Sequence, residues 1–200
     1  MGGRVDGSGP DAVERPFLMV VEDVFPARRG AVMVTGRVER GRVREREPVE
    51  IVGPAGRPTA AAVVAGIEGN GVWIAEAGAE LNVGVALDGV AAADVARGQV
   101  LAAPGSIAAH RHFTADIAVL SAEQGGADVF SGDRLRVHVR AAAVQGTVTL
   151  PEGTDVVRPV HAAAVTPALE EAVALEVGQS FAFRHHGRAA GSGTVTGLGR

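Results

Sequence analysis

The chain has no cysteine, which excludes disulfides, thiolate catalysis and every cysteine-based zinc or iron–sulfur site. It has no lysine either: all 19 basic residues are arginine. A P-loop ends in Gly-Lys-Ser/Thr because the ammonium rests on the β- and γ-phosphates, so that nucleotide site is excluded, as is Schiff-base chemistry on a lysine amine. Tyrosine is absent and the aromatics are 6 phenylalanines and 1 tryptophan, so a core has to be built mostly from valine, alanine, leucine and isoleucine. No apolar run approaches the roughly 18–20 residues of a membrane-spanning helix, and the first residues lack the apolar stretch of a secretory signal. The expected compartment is the cytoplasm, without membrane contact. A net charge of −4 argues against a general polyanion binder, while leaving room for a local basic surface.

What is present points to β structure. The 200 residues are 46% apolar and 21% charged, a globular balance. The 28 glycines and 10 prolines imply many turns and few long helices. Val32, Val34 and Val38 alternate with Met33, Thr35, Arg37 and Glu39, which sends one set inward and the other to solvent. Similar short pieces recur at 17–25, 42–44, 48–53, 61–67, 83–87, 99–101, 114–120, 135–139, 147–150, 173–177, 180–184 and 194–196. A helix is expected only as a scrap near Ala91–Ala96, and Gly191-Ser192-Gly193 reads as a loop or bulge. The spacing predicts an all-β protein: a leader over 1–15, one small antiparallel barrel over 16–105, and a second over 106–200, joined at a corner around Ala103–Ser106.

Few residues promise chemistry by pattern alone. His110 and His112, or His185 and His186, would need a third metal ligand that nothing marks. No Gly-x-Ser-x-Gly elbow is present, and the acidic pairs Glu22-Asp23 and Glu170-Glu171 are adjacent, which on a strand sends them to opposite faces. Arg134, Arg136, His138 and Arg140 alternate with Leu135, Val137 and Val139, giving a basic face opposite an apolar one. That stripe is either an ordinary solvated exterior or a set of phosphate contacts, since arginine forks match phosphate oxygens. In 37–50, five arginines are interleaved with four glutamates, so their field largely cancels.

Longer segments carry a resemblance. Pro16-Phe-Leu-Met-Val-Val-Glu-Asp-Val-Phe25, Val34-Thr-Gly-Arg-Val-Glu-Arg-Gly41, Val49-Glu-Ile-Val-Gly53, Asn82-Val-Gly-Val85 and Arg97-Gly-Gln-Val-Leu-Ala102 are similar to the second domain of bacterial elongation factor Tu. Pro104-Gly-Ser-Ile107, Val119-Leu-Ser121, Gly146-Thr-Val, Leu150-Pro-Glu-Gly153, Arg184-His-His-Gly-Arg188 and Gly191-Ser-Gly193 resemble its third, more thinly but in the same order. The resemblance implies two six-stranded barrels. Only a short leader precedes Pro16 where the family has its nucleotide-binding domain, so neither GTP binding nor any enzymatic activity or cofactor is expected.

In that family the two barrels hold aminoacyl-tRNA, the first at the terminal adenosine and the second along the T-stem backbone. The resemblance therefore implies tRNA-binding roles for Glu22, Asp23, Val24 and Phe25, for Thr35 behind the pocket, for Glu68 against the adenine and for Asn82 near the aminoacyl group. Arg134, Arg136, Arg140, Arg184 and Arg188 are the candidate phosphate contacts. A single-stranded end is read by stacking and edge hydrogen bonds, which an acidic protein can provide locally. The chain departs from the family at Pro26-Ala-Arg-Arg-Gly-Ala31, at Gly71, and at the shortened Gly125-Gly-Ala-Asp-Val-Phe-Ser-Gly132. Two other readings stay open. In one, the barrels bind a translation factor, the ribosome or an unrelated protein partner through surface exposed by the missing domain. In the other, another chain supplies the GTPase domain. Separately, Glu22–Phe25 reads as a strand kept for packing, with Phe25 in the core and Glu22 and Asp23 as strand-end hydrogen bonders.

Overall fold

A computed structural model describes residues 15–27, 31–53 and 58–199. The expected leader lies outside these residues except for Arg15. The chain up to Ser106 and the chain from Ile107 onward form separate compact units.

The first unit contains β1 (Leu18–Val20), β2 (Asp23–Pro26), β3 (Val32–Arg40), β4 (Arg42–Arg44), β5 (Pro48–Val52), β6 (Pro58–Gly69), β7 (Val72–Ile74), β8 (Glu76–Gly78), β9 (Asn82–Asp88) and β10 (Val100–Ala102). Six of them close a ring in the order β1-β10-β5-β6-β9-β3 and back to β1, every pairing antiparallel. β2 continues past β1 along the same edge of β3, and β7 extends the wall from β6. The alternation in β3 puts Val32, Val34 and Val38 inside with Met19, Val21, Ile51, Val64, Ile67, Val85 and Leu101.

The second unit is also a closed antiparallel barrel, β11-β16-β14-β13-β17-β18. Its strands are β11 (Ala108–Val119), β13 (Arg134–Val139), β14 (Ala142–Thr149), β16 (Ala162–Leu175), β17 (Ser180–His185) and β18 (Arg188–Leu198), with β12 (Val129–Phe130) and β15 (Val156–Val157) as an added pair. Phe113, Ile117, Leu135, Val137, Val165, Leu175, Phe181 and Phe183 fill it, and Phe113 meets Phe181 edge to face at 5.7 Å.

The protein is thus all-β, with two closed six-stranded barrels consistent with the elongation-factor-Tu domain 2 and domain 3 type, and no helix among the described residues is long and apolar enough to cross a membrane. The helical scrap reduces to one 3-10 turn, Ala92–Asp94. Gly191-Ser192-Gly193 is not a loop but the middle of β18. Those two glycines are there for space: a Cβ on Gly191 would stand 2.3 Å from the Ala118 carbonyl oxygen and 2.5 Å from the Phe183 ring, and one on Gly193 would stand 2.5 Å from the Phe181 ring. β16 is longer than the expected 173–177 piece because an irregularity, where His110 pairs with Val173 but His112 with Ala168, breaks its period.

Candidate functional site

Most of the residues singled out in the first barrel come together on one outer face. Register places Asp23 opposite Thr35, Thr35 opposite Gly84, Gly84 opposite Glu68, and Glu68 opposite Trp73. These five form a lateral row across β2, β3, β9, β6 and β7, four strand spacings or about 19 Å long. A second row, Phe25–Met33–Ala86–Gly66, runs beside it. Asn82 lies two residues along β9 from Gly84, opposite Arg37. Gly84 has no side chain of its own, and the Met33 thioether fills the space one would take there.

The polar groups on this face are largely uncommitted. The Thr35, Glu68 and Asn82 side chains have no hydrogen-bond or ion-pair partner among the described residues. Asp23 pairs loosely with Arg97 at 3.7 Å, and Glu22 is exposed while its backbone N–H donates to the Thr35 carbonyl at 2.8 Å. Phe25 is 50% exposed, so it is not the core residue of the packing reading; Val24 is the one that leans on the core. Arg28, Arg29 and Gly30, where the chain departs from the family motif, lie outside the described residues.

Trp73, which sequence reasoning passed over, ends the row. A signal was available: Asn70-Gly71, with φ of 53° and 78°, is the dipeptide that turns a tight hairpin, and it sits between Glu68 and Trp73.

In the second barrel Arg134, Arg136, His138, Gln145, Arg184, His186 and Gly187 line a basin of about 600 Å³. Arg136 stands between Gln145 on β14 and Arg184 on β17. Arg134 is engaged by Glu170 and Arg184 donates to the Gly187 carbonyl at 2.7 Å, whereas Arg136 has no acidic partner among the described residues. The His138 Nε2 is buried without a partner, and burial, then the charges of Arg136 and Arg184, hold its pKa below the usual histidine value. Arg188 is exposed on the adjoining hairpin, outside the basin lining.

Arg140 does not belong with them. Its side chain is 5% exposed, its Nη2 donates to Glu176 at 2.7 Å and its Nη1 to the Ala174 carbonyl at 3.2 Å. The strand ends at Val139 and Arg140 takes a φ of +49°, so the outward alternation stops one residue short of it. It is a structural ion pair and not a phosphate contact.

His185 and His186 stack at 3.9 Å, and His185 is 4% exposed with Nε2 3.3 Å from Asp133. Burial, then the neighbouring His186 charge, lowers the His185 pKa more than Asp133 raises it. The sign follows: both His138 and His185 have folded pKa values below their unfolded ones, so the stability they confer is complete above about pH 6.5 and is lost as pH falls through the folded values. The urea midpoint of the second barrel is expected to be level above neutrality and to fall below it, with His185→Phe flattening the fall; a midpoint that rises on acidification would reverse the assignment.

Comparison with known families bears on the second barrel. Residues 106–198 match the elongation factor Tu C-terminal domain. The match runs from the first strand of that barrel, β11, through the last, β18, so the basin lies wholly inside the matched segment. The matched segment is the second barrel alone, and its similarity is to a domain of a translation factor.

Proposed function

We propose that the chain is a non-catalytic, translation-related module that binds the single-stranded acceptor end of aminoacyl-tRNA. The observation that carries this reading is the row Thr35–Gly84–Glu68 with Asn82 beside it: hydrogen-bonding groups held by three adjacent strands, free of partners among the described residues, around the Met33 thioether that covers Gly84. Such a face suits a planar base with polar edges, which takes an apolar surface to lie on and a few aimed acceptors and donors. The basin of the second barrel gives a phosphate its natural partners in Arg136 and Arg184. The relation to the elongation factor Tu C-terminal domain supports an RNA role, and the absence of lysine is consistent with a module that does no phosphate chemistry.

The test is a titration at physiological salt against aminoacylated tRNA, deacylated tRNA and an unrelated hairpin. The charged tRNA is expected to bind most tightly. Glu68→Ala should weaken it about tenfold, the effect of losing a hydrogen bond to a charged group, with the melting temperature unchanged because Glu68 holds nothing else in place. Neutralising Arg136 and Arg184 together should reduce the slope of log K against log salt by up to about 2. No binding to any of the three RNAs would overturn the reading and direct the search to protein partners.

A further inference from the structure

Trp73 is the chain's only tryptophan, and it is 62% exposed. Leaving so large an apolar ring in water forgoes the stabilisation that burial would bring, and here the fold holds the ring in place rather than hiding it. The six-membered ring lies over Gly66, so close that a Cβ there would stand 2.7 Å from Cζ3 and 3.1 Å from Cε3. One face is therefore seated on backbone while the ring as a whole stays open to solvent. β7, which carries it, is pinned to β6 by the tight Asn70-Gly71 turn.

Its surroundings select the ligand. Directly opposite on β6 is Glu68, a carboxylate without a partner among the described residues. Further along that row come Gly84, Thr35 and Asp23, while the ring itself leans over Gly66 at the end of the apolar row Phe25–Met33–Ala86, so an apolar surface and unpaired acceptors lie side by side, unlike the charge-depleted centre expected of a protein interface. Carboxylates repel phosphate but accept hydrogen bonds from the exocyclic amino groups of adenine and cytosine. A flat apolar face next to such an acceptor is complementary to an unpaired, amino-bearing nucleobase.

We propose that Trp73 is a stacking platform for an unpaired adenine or cytosine, held on the side of Glu68 away from Gly84. The inference rests on the RNA-end reading and adds to it a base contact that the sequence did not suggest. Because the chain has no tyrosine and no other tryptophan, its tryptophan emission reports on this one ring.

The experiment uses the full chain, the trinucleotide CCA and, as a probe lacking exocyclic amines, UUU. Binding is followed in parallel by tryptophan emission and by the anisotropy of dye-labelled RNA. CCA is expected to quench most of the emission with the same midpoint as the anisotropy change, and UUU to bind more weakly. Trp73→Ala should lower CCA affinity about tenfold or more, with Trp73→Phe restoring most of it and neither changing the melting temperature. If the anisotropy shows CCA binding while the emission and the Trp73→Ala affinity are unchanged, the stacking assignment is overturned and the RNA-end reading stands. If the anisotropy shows no binding of CCA or of aminoacyl-tRNA, both fall.

Discussion

Gly191→Ala is expected to lower the melting temperature of the second barrel by about 15 °C, a loss of about 3 kcal/mol. A methyl group at this position has nowhere to go: 2.3 Å from the Ala118 carbonyl oxygen and 2.5 Å from the Phe183 ring. The carbonyl belongs to β11, the strand that pairs with β18 here, and Phe183 is 1% exposed, so relief requires moving a barrel seam or a core ring. Gly178→Ala is the control. Its φ of +85° strains any side chain, but nothing lies within 4 Å, so it should lose only about 1 kcal/mol. Calorimetry on the two variants separates crowding from backbone strain. Equal losses would mean that β18 or the Phe183 ring yields easily and that Gly191 is not there for space.

Glu176→Ala should destabilise the same barrel by about 3 kcal/mol, because it leaves the Arg140 guanidinium buried without its carboxylate. Replacing both residues, as Arg140→Met with Glu176→Leu, is expected to lose less than the single change, since the unpaired charge disappears along with its partner. The pair also decides what Arg140 is for. If it were a phosphate contact, removing Glu176 would free it, tightening RNA binding with little effect on melting. With the guanidinium at 5% exposure, the expected result is the opposite: a lower melting temperature and unchanged RNA affinity for the protein that remains folded.

Arg140 also shows where reading a sequence stops. The alternation Arg134, Arg136, His138 is visible in the letters and holds through β13. That Arg140 turns inward depends on a left-handed backbone at an arginine, a conformation no residue type other than glycine, asparagine or aspartate announces. β3 was legible because Val32, Val34 and Val38 share one face while Thr35, Arg37 and Glu39 share the other. β7 was not, because three residues cannot display a period of two. The row on the first barrel shows the same division. Asp23, Thr35 and Glu68 entered by resemblance, as separate points along the chain. Their alignment with Gly84 and Trp73 is a matter of register between strands far apart in sequence, including a shift at Val64/Gly66 that no local pattern encodes.

The two strands that frame this row have a consequence for how the molecule behaves in a crowd. Both barrels close on themselves, so their main walls offer no free row of N–H and C=O groups, but β2 and β7 are appended outside the ring and, among the described residues, each pairs on one side only. An unprotected edge next to exposed Phe25 and Trp73 would invite a second chain to add a strand and seed aggregation. The fold keeps both edges short, four residues and three, and ends β2 with Pro26, which has no N–H to donate. An open aromatic surface is thereby combined with edges too brief to template another copy, so the face can stay uncovered without making the protein sticky to itself.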